Sequence, residues 1–479
     1  MVQQLYHVID AIVVGRQLGV EALAAVGATG SMLFLLLGFA WGLTSGFAIP
    51  TAQAFGARDL VAVRRSVAAG TILTGVCTVV LTVGAPLISA PLLVLLQTPP
   101  ELMDDAVIFA QISFLGAGAM MFFNYLSAII RAIGDSRTPL LFLSLACGLN
   151  VGLVVLMVGP LGWGVAGAAL ATVVSQATSV LLCLAFVRRR MPVLHVRRED
   201  WRVSRAELAE HLRLGLPMGL QASIIAIGTL AVQVALNTLG ADAVAAYTAA
   251  ARVDMLALTL LQSLGLAVSM FVAQNFGGGR PDRIRRGVKQ ALCMAVAASV
   301  VIGLLLIIFG AALVRLFVGD GEGEVVGLAA QMLAINGATY WILGILFVLR
   351  GALQGLGHAL IPTVTGVIEL AMRMGSAIVL GGLFGFVGVA AGNPLAWLGA
   401  VVVLVPAYIH AHRRLGRAPV TPLVATPTTP IAVIGPAEGS RTVDAVITQP
   451  IALPPADQIA RHRPRFPVLS ARDRRRTRG

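Results

Sequence analysis

Apolar stretches long enough to cross a bilayer follow one another down this chain with only short polar breaks. A helix needs roughly 20 apolar residues to span the hydrocarbon core. That length is reached or exceeded at 27–56, 66–96, 103–131, 138–159 and 163–187 and then, beyond a polar stretch from Arg188 to Arg213, at 213–238, 245–276, 288–318, 325–350, 360–383 and 388–412. A further partial span covers 2–15, interrupted at Asp10. It is too short to cross, and its opening MVQQLY lacks both the basic start and the small-residue cleavage site of a signal peptide. The first helix is therefore expected to be N-terminally truncated. Several other stretches exceed thirty residues, which implies tilt or projection past the bilayer. The pattern predicts an all-α polytopic membrane protein of about twelve transmembrane helices.

The halves of the pattern repeat each other. Leu18 to Val67 laid without a gap on Leu239 to Val288 matches LGVEALAA with LGADAVAA, AQAFG (52–56) with AQNFG (273–277), and RRSV with RRGV. Sixteen of fifty positions are identical. Shared apolar composition does not account for the polar matches Gln53 with Gln274 and Arg64-Arg65 with Arg285-Arg286. This is an internal duplication. Six spans per copy bring the second copy in from the same side as the first, so the two pseudo-symmetric six-helix lobes are related by an axis along the membrane normal. The expected domains are an N-terminal lobe at 1–187, a linker at 188–212, a C-terminal lobe at 213–413, and a disordered, basic, Pro-rich tail at 414–479.

Charge orients the bundle. Loops on one side carry Arg58, Arg64 and Arg65; Arg131 and Arg137; Arg188 to Arg190 with Arg197 and Arg198; and Arg280, Arg283, Arg285, Arg286 and Lys289. The opposite loops, such as TPPELMDD at 98–105 and GDGEGE at 319–324, are neutral or acidic. By the positive-inside rule the basic loops and both termini are expected to be cytoplasmic. This also accounts for the net charge of +13. Nucleic-acid binding is not needed to explain it.

Composition agrees with the pattern: 57% of residues are hydrophobic and 12% charged, with a mean hydropathy of +0.88, where soluble domains carry about 25% charged residues. From 418 onward the character changes, with ten of the 23 prolines, nine arginines and four acids, and no apolar span. Cys77, Cys147, Cys183 and Cys293 lie singly inside apolar stretches and behave as small hydrophobes. No HExxH, P-loop or GxSxG sequence occurs, so neither an enzyme nor a nucleotide-driven pump is expected.

An acid inside a membrane span is costly and is a functional candidate by default. Asp10, in QQLYHVIDAIVVG, has apolar neighbours on both sides. Facing a cavity it could hold a proton or, ionised, a sodium ion; a structural hydrogen bond to a neighbouring helix is the alternative. Asn150 in the fifth span and Thr172 in the sixth offer an amide and a hydroxyl, for which interhelical hydrogen bonding is a sufficient reason. Glu369 and Arg373 are spaced i, i+4 on one helical face, and a structural ion pair is favoured over a proton relay. Arg252 and Asp254 are too close in sequence to share a face and are expected near the membrane interface.

The segments YHVIDAIVVGRQLGVEALAAVG, AQAFGA, RAIGDSRTPL (131–140), GWGVAGAALAT (162–172) and RGALQGLGHALIP (350–362) resemble the multidrug and toxic compound extrusion (MATE) exporters, especially their prokaryotic DinF-like branch. The resemblance runs from Gln3 to about Arg413. It implies two six-helix lobes around a cavity open to alternate sides, and export of drug-like, often cationic molecules in exchange for H+ or Na+. It places the family's N-lobe cation site on Asp10, Asn150 and Thr172, and cavity-lining positions on Gln3 and Tyr6. Two positions depart from it: the second carboxylate expected four residues after Asn150 is Val154, and the seventh-span acid of some members is Ile225. Losing one carboxylate removes a cation ligand and throws weight on Asp10.

The expected function is thus secondary active efflux of organic compounds by alternating access, in a bacterial inner membrane and as a monomer. The expected partners are small organic substrates and the lipid bilayer. No resident metal or cofactor is expected, only H+ or Na+ as coupling ion, with sodium held transiently at Asp10. The alternatives are a flippase for lipid-linked oligosaccharides from the same superfamily and a non-transporting membrane scaffold.

Overall fold

A computed structural model describes residues 13–95, 98–318 and 323–415. The sequence candidates Gln3, Tyr6 and Asp10, and the tail from 416 onward, lie outside the described residues.

The described residues are almost wholly helical. Helix α1 occupies 13–18 in its described part, followed by α2 (Val20–Gly56), α3 (Leu60–Leu95), α4 (Pro100–Leu115), α5 (Ala117–Ala132), α6 (Arg137–Val158) and α7 (Gly164–Arg190). Two short 3-10 turns, Pro192–Leu194 and Arg198–Trp201, lead into α8 (Arg205–Asn237), α9 (Ala241–Gly277), α10 (Pro281–Val318), α11 (Gly323–Gly355) and α12 (Leu360–Gly375). A π-helical segment, Ser376–Leu380, joins α12 to the short α13 (Gly381–Phe384) and α14 (Phe386–Ala390), and α15 (Gly392–Arg414) closes the series. Among the described residues nine helices are long and apolar enough to cross a bilayer, and α4 with α5, bent by 44° at their junction, form a tenth.

Local chemistry sets the helix ends. Ser204 accepts from the Glu207 backbone N–H while Glu207 accepts from that of Ser204, a capping box that starts α8. Asp59 and Asp135 cap the first turns of α3 and α6 through backbone N–H groups at 2.9–3.1 Å. The bend at Gly116 also has a local cause: a Cβ there would sit 2.2 Å from Val173 of α7, so only glycine lets the joint close against that helix.

The duplication survives in backbone detail. Gly19 and Gly240, matched in the repeat, both take left-handed φ values, 91° and 101°, that a side chain would strain. Burial sorts the helices: the most apolar windows of α2 and α11 are 56% and 61% buried, whereas those of α3 and α10 are 17% and 22% buried and turn Val79, Val83, Leu304 and Ile308 outward. Outward apolar side chains of that kind suit a lipid surrounding. One core, around Leu333, Tyr340 and Trp397, lies wholly in the C-terminal half, while the other, around Phe47, Met121 and Ile130, also takes in Met218, Met270, Ala273 and Ala359 of the C-terminal half.

Candidate functional site

In the N-terminal half, α6 and α7 bring Asn150 and Thr172 together as the sequence suggested. Asn150 is 1% exposed; its Nδ2 donates to Thr172 Oγ1 at 3.2 Å, and that hydroxyl donates to the Ala168 carbonyl at 3.3 Å. Asn150 Oδ1 has no hydrogen-bond partner among the described residues. It borders a cavity of about 10 Å³ lined by Asn150, Thr172, Ser175 and Gln176 and closed by Phe123 and Ala146. A space of that size takes one water or one small cation and excludes a drug-sized molecule. Val154, one turn on from Asn150, is fully buried against Val14, Val158 and Ala171. That position packs as core and offers no oxygen ligand.

In the C-terminal half the structure corrects two expectations. Glu369 does not pair with Arg373; its carboxylate is held by the Arg350 guanidinium from α11, and Arg350 also reaches Thr365 Oγ1 at 3.5 Å. The i, i+4 spacing made the Arg373 pairing possible, but Glu369 turns into the core, where the buried Arg350 meets it across the helix interface. A buried charge left without its partner costs about 3–5 kcal/mol. Arg350→Gln is therefore expected to lower thermal stability in detergent sharply, whereas Arg373→Gln, which breaks no described ion pair, changes it little. Equal losses from the two variants would contradict the observed pairing.

The second correction concerns Asp254, which is 4% exposed and does not lie at the interface. It sits thirteen residues into α9, roughly 20 Å along the axis at 1.5 Å per residue. Tyr340 Oη donates to one carboxylate oxygen, and Asn336 Nδ2 donates to the other at 3.2 Å. Tyr340 in turn packs on Trp397, with ring centroids 5.8 Å apart. Among the described residues three carboxylates are buried. Asp200 is paired with Arg64 and Glu369 with Arg350, while Asp254 has only neutral hydrogen-bond donors. Sequence reading placed Asp254 near the interface although the span from 245 already sets it nine residues in; α9 begins at Ala241 and carries it four residues deeper.

The halves meet most closely where the repeated AQxFG motifs cross. A Cβ on Gly56 would lie 1.8 Å from the Gln274 carbonyl oxygen, and one on Gly277 would lie 1.8 Å from that of Gln53. The glutamine side chains then reach across in matched fashion. Gln53 Nε2 donates to the Gly355 carbonyl at 3.0 Å and Gln274 Nε2 to the Ala132 carbonyl at 2.7 Å, each acceptor lying at the C-terminal end of a helix in the opposite half. From there α2 runs along α8, with Gly46 against Gly215, Gly42 against Met218 and Gly38 against Ala222. At the same face Arg65 pairs with Glu207 at 3.0 Å, and Ser66 lies 3.0 Å from His211 Nε2.

Two duplicated helical halves locked together at one face have the architecture found in two-lobe membrane transporters. The family model described as MatE matches the chain twice, over residues 1–156 and 217–379, once in each half. The chain belongs to the MatE family. Its relatives include the probable multidrug resistance protein YpnP of Bacillus subtilis, 29% identical over 369 residues that cover 77% of this chain and 82% of that one. Another, the probable multidrug resistance protein NorM of Thermotoga maritima, is 24% identical over 85% of this chain and 86% of its own. A solved structure, described as the outward-facing conformation of a multidrug resistance MATE family transporter of the MOP superfamily, shares the fold with a TM-score of 0.80. It is 24% identical, over 87% of this chain and 93% of that one. The all-α architecture of about twelve membrane helices in two lobes is the fold of this chain.

Proposed function

We propose that this protein is a secondary active exporter of small organic, often cationic compounds, driven by inward flow of protons through the N-terminal half. The observation that carries the proposal is the small, mostly apolar cavity onto which the polar groups of Asn150 and Thr172 border, with room for one small ion. Asp10 supplies the titrating group, Asn150 and Thr172 its neutral partners, and Gln3 and Tyr6 line the substrate path. Val154 favours protons over sodium, because a dehydrated sodium ion needs several oxygens and the Val154 position contributes none. Alternating access follows from the two halves: the AQxFG crossing shuts the basic face while the cation site exchanges with the other side, and its release opens the basic face. By the positive-inside rule that face and both termini are cytoplasmic, in the inner membrane of a bacterium, with a monomer as the working unit.

A flippase for a lipid-linked sugar would need a cluster of unpaired cations in the cavity to hold its phosphates; of the two arginines on α11 and α12, Arg350 is committed to Glu369 and Arg373 alone is without an ion pair among the described residues.

Expression in cells stripped of their own pumps is expected to lower steady-state accumulation of ethidium severalfold. A protonophore restores accumulation, and removing external sodium changes nothing. Efflux that persists with every ion gradient collapsed would overturn coupled antiport; efflux that follows sodium and ignores pH would overturn the choice of ion alone.

A further inference from the structure

The repeat-matched arginine pairs of the two halves have different surroundings. In the N-terminal half both are neutralised, Arg64 by Asp200 and Arg65 by Glu207, each at 3.0 Å. Their counterparts Arg285 and Arg286 form no ion pair among the described residues, and the nearest acid along α10, Asp282, does not reach them. Arg285 Nη2 touches the His412 carbonyl at 3.4 Å, and its buried Nε has no hydrogen-bond partner. The C-terminal half adds a third cation, Lys289, where the repeat places Ala68 in the N-terminal half. Between the opening of α10 and the end of α15 these groups line a cavity of about 300 Å³, together with Tyr408, His412 and an apolar wall at Leu292.

Depth selects the ligand. From Ala291 to Val314 helix α10 carries no charged residue, and that run, roughly 36 Å at 1.5 Å per residue, covers a hydrocarbon core of about 30 Å. Lys289 therefore stands at the edge of the core, with Arg285 and Arg286 one turn beyond, at the level of lipid phosphates. Guanidinium groups match phosphate oxygens two by two, and a tyrosine hydroxyl supplies another donor. Basic pockets between membrane helices hold lipid headgroups in this way. The cluster of three basic side chains with no acid repels the ammonium of a zwitterionic headgroup and leaves Leu292 to meet the first acyl carbons.

We infer that the pocket between α10 and α15 is a binding site for the phosphate headgroup of an anionic phospholipid, such as phosphatidylglycerol or cardiolipin. The site is independent of the transported ion and of the residues assigned to coupling. A lipid seated there bridges the ninth and twelfth spans at the face where the halves close.

Native mass spectrometry of the full chain, released from nanodiscs containing equal amounts of phosphatidylglycerol and phosphatidylcholine, tests this. The wild type is expected to retain phosphatidylglycerol preferentially. The triple variant Arg285→Gln, Arg286→Gln, Lys289→Gln should retain about tenfold less, and Arg286→Gln alone, an exposed change that cannot unfold the core, about threefold less. Arg283→Gln, outside the pocket, should behave as wild type. Equal retention by wild type and Arg286→Gln would overturn the inference, as would displacement of the lipid by millimolar inorganic phosphate, which would make the site one for a free anion. If deletion of 418–479 raises lipid retention severalfold, the chain's own acidic tail residues are the occupant and the inference also fails.

Discussion

Asp10→Asn is expected to insert and fold like the wild type, to bind drug almost as well, and to transport close to nothing. The change removes one titrating group while nearly preserving side-chain shape. Its severity follows from the neighbourhood. Where the family resemblance leads one to expect a second carboxylate, Val154 packs into an apolar cluster with Val14, so no second acid on α6 can take over the exchange. Asn150→Ala and Thr172→Ala should be milder, since each removes a neutral group whose hydrogen bond is worth about 1 kcal/mol. Ethidium efflux from loaded cells, set beside ethidium binding by the purified variants, separates loss of coupling from loss of folding. Full efflux by a well-folded Asp10→Asn protein would defeat the assignment. Attention would then move to Asp254, because Glu369 is directly paired with Arg350, while Asp254 is held by hydrogen bonds from Tyr340 and Asn336 with the Arg373 charge acting on it without a direct ion pair.

Gly56→Val and Gly277→Val are each expected to reduce efflux more than tenfold. At both positions the added Cβ would fall 1.8 Å from a backbone carbonyl oxygen of the opposite half. Neither partner is the flexible end of a side chain, so the helices themselves must separate by more than an ångström. Separation at that point also lengthens the matched bonds from Gln53 to the Gly355 carbonyl and from Gln274 to the Ala132 carbonyl. Under the proposed alternating access, the basic face can then no longer shut and the cycle stalls. Gly27→Ala, on the same helix as Gly56 but with nothing within 4 Å of the new Cβ, is the control and should transport normally. A cysteine-reactive probe applied from the basic side should label positions near the crossing faster in Gly56→Val than in wild type. Unchanged labelling together with normal efflux would show that the crossing can open without cost.

Much of this molecule is determined by local pattern. Span positions depend on the length of apolar runs, so α6, expected at 138–159, forms at Arg137–Val158, and α12 to α13, expected at 360–383, reach Phe384. The duplication is likewise legible, because matched glycines such as Gly19 and Gly240 must keep the same left-handed backbone in both copies. Even the Asn150–Thr172 contact could be anticipated from the family resemblance, since both residues lie on successive helices of a known motif.

Partner choice in the core was decided only by tertiary packing. Glu369 has a cation four residues away along its own helix, yet pairs with Arg350 from another, because burial rewards the guanidinium that reaches the same desolvated space. Asp254 falls inside the apolar stretch 245–276, but its partners, Tyr340 and Asn336, lie 86 and 82 residues later and only the packing brings them to it. The matched glutamines stand out in the sequence, but that each clasps a helix end in the opposite half depends on how the halves cross. Periodicity and hydropathy describe one helix at a time, whereas these contacts are made between helices and are chosen by the three-dimensional competition among buried polar groups for the few partners within reach.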